Sequence, residues 1–124
     1  MNPVGWFEIY VDDMNRAKAF YEKILKITLE ELSGVSEWDL TMYSFTGNMK
    51  NHGATGALVK MKDMKAGGNS TLVYFSCEDC AVEESRVEAA GGKVQQSKMA
   101  IGEHGFITLV VDTEGSMIGL HSMK

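Results

Sequence analysis

Residues 6–21 read WFEIYVDDMNRAKAFY, and the change of period inside this stretch decides the fold. Up to Val11 the chain alternates, with Phe7, Ile9 and Val11 on one face of a strand and Trp6, Glu8 and Tyr10 on the other. Asp12 and Asp13 then offer a capping carboxylate. Met14, Ala17, Phe20, Tyr21, Ile24 and Leu25 recur at three- and four-residue steps, so the strand runs directly into an amphipathic helix. Glu8 is left in the middle of an apolar strand. Its carboxylate suits a metal ligand, a proton-transfer base, half of an ion pair or a solvated side chain.

Working outward, a short strand is expected around Ile27–Leu32, a longer one over Ser36–Phe45 and a fourth over Ala57–Lys62, with the turn-rich segment 47–53 between the last two. The breaker KAGGNS at 65–70 divides the chain, and the same order follows. Thr71–Cys77 reads as a strand, Cys80–Ala90 as a helix closed by Gly91–Gly92, and Lys93–Gln96, Phe106–Val111 and Ser116–His121 as three further strands. Val11-Asp12-Asp13 lies against Cys77-Glu78-Asp79, and Ala57–Met61 against Ser116–Leu120. This is an internal duplication of two βαβββ modules, about 1–64 and 70–124, within one domain spanning 1–124. One helix covers only one face of each sheet, and two such sheets facing each other enclose a cavity.

Composition narrows the functional classes. The 124 residues are 44% hydrophobic and 23% charged, with no apolar run near the roughly 20 residues of a membrane span. The N-terminal stretch has no basic region and turns acidic early, so a cytoplasmic location is expected and no membrane partner. A net charge of -5 without a Lys or Arg run gives no footprint for nucleic acid. Nucleotide loops and the serine-hydrolase elbow are absent from the sequence. The two cysteines form Cys77-Glu78-Asp79-Cys80; no second ligand pair accompanies them, and the two acids disfavour a thiolate, so they read as strand-end and cap residues.

The opening stretch, the helix end AAGGKV at 89–94 and the closing DTEGSMIGL at 112–120 resemble the vicinal oxygen chelate superfamily, which includes glyoxalase I, bleomycin resistance proteins and extradiol dioxygenases. The resemblance runs over nearly the whole chain and implies an α+β fold with a half-open eight-stranded barrel. Carried over by motif, the superfamily's four metal-ligand positions fall on Trp6, Lys60, Leu72 and Gly119, none of which suits a divalent ion. The resemblance therefore implies a metal-independent binding protein with no cofactor, paired as a homodimer. The alternative is a glyoxalase-like lyase or isomerase, possibly metal-dependent through displaced ligands.

Two residues along the same face, the next layer is expected to hold Glu8, Lys62, Tyr74 and His121. Glu8 and His121 are the candidate catalytic groups. Trp6, Glu8, Lys60, Leu72, Tyr74, Phe106 and His121 are the candidate contacts to a small-molecule ligand, and no metal ligand is assigned. Lys60 or Lys62 would neutralise Glu8 under a purely structural reading. His52 and His104 fall in loops. Either one, with Glu8 and His121, would complete a two-His-one-carboxylate set that no spacing singles out.

Overall fold

The computed structural model describes residues 2–32, 40–48 and 50–124. Strand β1 (Phe7–Tyr10) leads into helix α1 (Met14–Leu25), followed by β2 (Glu30–Glu31), β3 (Leu40–Ser44) and β4 (Gly56–Met61). Strand β5 (Tyr74–Ser76), helix α2 (Cys80–Glu84), β6 (Lys93–Ala100), β7 (Phe106–Val111) and β8 (Met117–Ser122) repeat that order. The sheets are ordered β1-β4-β3-β2 and β5-β8-β7-β6, so each places its first strand at an edge, parallel to its last. The first part of the expected strand 36–45 lies outside the described residues. Among the described residues no helix is long and apolar enough to cross a membrane.

Helix α1 forms where its period predicts. Asp13 has extended backbone, and its side chain accepts from the Arg16 N–H; Lys26 ends the helix in a left-handed conformation. Met14, Ala17, Phe20, Tyr21 and Ile24 are buried against Ile9, Val11 and Leu58, in a core that also takes in Cys80, Val87, Val110, Ile118 and Leu120 from the second half. Each large apolar side chain there contributes about 1.5–3 kcal/mol. Helix α2 is shorter than expected. Its stripe is weak, with Val82 exposed, and beyond Glu84 the chain continues in tight turns in which Arg86 and Val87 donate to Glu83 and Glu84. Strand β6 is longer than expected because irregularities at Val94–Gln96 and Gln96–Met99 let it follow β7 to Ala100.

The halves are clasped by one acidic turn. Glu114, its side chain fully buried, accepts the N–H groups of Asp12 and Asp13 at 3.0 and 2.8 Å and two bonds from the Arg16 guanidinium at 2.6 and 3.0 Å. Beside it Asp112 accepts the Tyr21 hydroxyl at 2.6 Å and the N–H groups of Glu114 and Ser116.

Strand pairing corrects the internal register. Ile9 sits beside Leu58 and Phe75 beside Leu120, so the counterpart of Gly119 is Ala57, not Lys60, and that of His121 is Val59, not Lys62. The two registers differ by three residues, and an odd shift exchanges the faces of a strand. Lys60 therefore shares the helix-facing side with Leu58, where its ammonium donates to the Asp12 carbonyl at 2.8 Å. Phe106 is likewise on the helix side, paired with Ser122, packed against the core and capped by the Lys98 ammonium at 4.7 Å from its ring centre.

Candidate functional site

On the face of β1 away from the helices, three side chains at two-residue steps form one group. Glu8 accepts from Trp6 Nε1 at 3.2 Å through Oε2 and from the Tyr10 hydroxyl at 3.0 Å through Oε1. Strand periodicity alone brings them together. Burial, then the bond to Glu8 and its charge, raise the Tyr10 pKa, so the phenol remains a donor. No Lys or Arg among the described residues pairs with Glu8, which corrects the expected neutralisation by Lys60 or Lys62. The carboxylate is exposed and held by two neutral donors.

A cavity of about 320 Å³ opens beside Glu8 in the gap between the sheets. Glu8 and Tyr10 line it from the first sheet, Met117 and Ile118 from the second, and Met64 and Thr71 from the linker. The linker is fixed over it: Asp12 accepts the Ala66 N–H, Ser116 accepts the Gly67 N–H, and the Asn69 amide bonds both Thr71 and Met117. The cavity thus sets the Glu8 carboxylate and Lys65 beside two thioether walls and the polar side chains of Asn69, Thr71 and Ser116, a lining for a small molecule that is part apolar and part polar.

The other candidates are dispersed. Trp6 also lines a shallower hollow of about 270 Å³ on the first sheet. The Tyr74 ring lies over Gly119, where an added Cβ would come within 2.3 Å of it, and Tyr74 lines a second cavity that shares Phe7 and Val73 with the first. Leu72 is exposed just before β5, and His121 Nε2 donates to the His104 carbonyl at 2.7 Å. Neither lines these cavities. The expected layer of Glu8, Lys62, Tyr74 and His121 is replaced by Glu8, Ala57, Tyr74 and Gly119. Sequence reasoning missed Tyr10, Met64 and Thr71. Tyr10 was legible from its place on the Glu8 face, whereas the linker residues carry no periodic signal.

Nothing at the site suits the superfamily's metal. Of that corrected layer only Glu8 is a strong ligand, and among the described residues no three His, Cys, Asp or Glu side chains come together. This also removes the set of Glu8, His121 and a loop histidine. Redox chemistry is no better served: burial, then the charge of Glu83, push the Cys77 thiol up to about 12, and Cys80 is fully buried.

Solved structures share this fold at low identity. Glyoxalase I from Zea mays is 20% identical, with a TM-score of 0.77 over 98% of this chain and 46% of its own, so the chain spans about half of that protein. TnmS3, an antibiotic binding protein from a Streptomyces species, is 22% identical with a TM-score of 0.71 over 98% of this chain and 96% of its own. A glyoxalase/bleomycin resistance protein from Albidiferax ferrireducens is 17% identical with a TM-score of 0.68, over 96% and 98% of the two chains. No curated protein matches the sequence. The two equivalent sheets joined by the acidic turn agree with the one family model that covers both, from residue 4 to residue 120: the chain belongs to the Glyoxalase/Bleomycin resistance protein/Dioxygenase superfamily.

Proposed function

We propose that this protein is a metal-independent small-molecule binding protein of the glyoxalase and bleomycin-resistance kind, working in the cytoplasm and holding its ligand in the gap between the sheets against Glu8. The observation that carries this reading is the Glu8 carboxylate, oriented by Trp6 and Tyr10, in no salt bridge among the described residues and lining, with Lys65, a cavity of about 320 Å³. The Glu8 carboxylate is exposed at the edge of this cavity and held in place by its two neighbours, so a ligand bringing a donor group gains a charge-assisted hydrogen bond there. The antibiotic-binding relative of nearly equal length supports small-molecule binding as the mode. Exposed Val4, Trp6, Leu72 and Tyr74 support pairing of two copies, as such apolar side chains are commonly covered at interfaces.

The test is a ligand screen read by Trp6 fluorescence, with Trp6→Phe as control, followed by calorimetry on Glu8→Gln. The reading expects at least a tenfold loss of affinity in Glu8→Gln, an unchanged melting temperature, no effect of added zinc or nickel, and ligand recovered intact. Ligand returned chemically altered would replace binding by the lyase or isomerase alternative. An unaltered affinity in Glu8→Gln would remove Glu8 from the site.

A further inference from the structure

A second cavity, of about 370 Å³, adjoins the first across Phe7 and Val73 and is bounded by the end of α1, residues 46–48 and 51–55, and β5. Its wall is aromatic. Phe7, Phe45 and Phe75 stand 5.4 to 5.8 Å apart, centre to centre, in tilted and edge-on contacts that hold one another in place. The one acid among its lining residues is Glu83, and none of them is Lys or Arg.

Glu83 differs from its neighbour on α2. Glu84 is consumed by the fold, accepting the Thr108 hydroxyl at 2.9 Å and the Lys98 N–H at 2.7 Å. Glu83 Oε1 is buried without a hydrogen-bond partner, the one side-chain oxygen or nitrogen among the described residues in that condition, and the only donor set against this carboxylate is the weak one of the Cys77 thiol. A carboxylate oxygen is rarely left so, because its lost hydration is not recovered inside the molecule. Oε1 does not face the cavity directly, but the terminal torsion of Glu is broad and nearly two-fold, so rotation about that bond turns an oxygen towards a donor in the cavity. Ring faces carry negative potential and attract the same kind of group.

We propose that this cavity is a binding site, centred on Glu83 and not on Glu8, for a small organic cation, with Glu83 as counter-ion and the Phe7, Phe45 and Phe75 rings around its apolar part. A primary ammonium on a short aromatic or alkyl body meets each requirement: charge for Glu83, donors for Oε1, and surface for the rings.

Benzylammonium at pH 7 is the probe and benzyl alcohol its neutral match, each titrated into isotope-labelled protein and followed by amide chemical shifts. The ammonium is expected to bind at least tenfold tighter than the alcohol, with the largest shifts at Gly53, Phe75 and Ser76. Glu83→Gln, which keeps size and polarity, should bring the ratio to about one, whereas Glu8→Gln should leave it unchanged. A preference that survives Glu83→Gln overturns the proposal. So does one that moves Glu8 and Tyr10 and disappears in Glu8→Gln, since the cation then belongs to the first site. If Glu83→Gln melts lower than the parent protein, Glu83→Asp, which retains the charge, must retain the preference, and its loss would equally overturn the assignment.

Discussion

Replacing Glu114 by Gln removes a charge from the clasp while keeping its shape, and the structure sets the size of the effect. Burial alone would raise the Glu114 carboxyl, but the bonds from Arg16, from the Asp13 and Asp12 N–H groups and from Thr113 outweigh it and bring the pKa down from 4.5 to about 2. That fall corresponds to about 3 kcal/mol at neutral pH, trimmed to about 2–3 kcal/mol by solvent screening at the half-exposed Arg16. The folded-state value lies below the unfolded one. The stabilisation is therefore complete above pH about 5 and lost progressively as pH falls through 4.5 towards 2. Urea unfolding of the parent and Glu114→Gln at pH 7, 5, 4 and 3 measures it. The difference between them should be about 2–3 kcal/mol at pH 7 and shrink steadily below pH 5. Other acids titrate in both proteins and cancel in the difference. A difference that stays constant from pH 7 to pH 3 would show that the clasp acts through shape and not through charge, and would refute the reasoning.

Tyr21→Phe leaves Asp112 buried without the Tyr21 donor and should cost about 1–3 kcal/mol in urea unfolding, with Asp112, already raised first by burial, rising further; no loss would mean that the backbone N–H groups suffice. Lys60→Met should leave ligand affinity at Glu8 unchanged and cost under about 1 kcal/mol, as its ammonium ties only an exposed carbonyl; a tenfold drop in affinity would return Lys60 to the site. Cys77, with its thiol pushed up to about 12, should react with iodoacetamide at pH 8 far more slowly than a free thiol, and stoichiometric labelling within minutes would contradict that environment.

Where one residue face differed chemically from the other, the sequence was readable. The alternation of 6–11 and the three- and four-residue steps of 14–25 place Ile9, Val11, Phe20 and Tyr21 in the core, and Asp13 caps α1 as its position suggests, whereas α2 is capped by Asp79 and not by a cysteine, Cys80 being its first residue. The register of the closing strands was not readable for a physical reason. Ala57, Leu58 and Val59 are all buried, and so are Ile118, Gly119 and Leu120, so neither strand shows which face is which. Pairing with β1 and β5 decides it, and the odd error moved Lys60 to the wrong side. Glu8 was found because a carboxylate in an apolar strand stands out. Its cavity was not, because the linker wall is built from Met64 and Thr71, whose positions follow from tertiary bonds to Asp12, Asn69 and Ser116.

The corrected register also separates two glycines. Gly56 pairs with Phe7 on the helix side, and Gly119 pairs with Tyr74 on the opposite face. An added Cβ at Gly56 would lie 2.2 Å from the Phe7 carbonyl oxygen, an atom fixed by the sheet, so Gly56→Ala must push β1 and β4 apart and should cost about 1–3 kcal/mol or more. An added Cβ at Gly119 would lie 2.3 Å from the Tyr74 ring, which is 45% exposed and free to swing outward. Gly119→Ala should therefore cost under about 1 kcal/mol while moving the Tyr74 ring resonances. Urea unfolding and side-chain spectra of both variants measure the contrast. Equal costs would mean that Tyr74 is held as rigidly as the β1 backbone, and the face opposite the helices would then be a packed surface and not an open one.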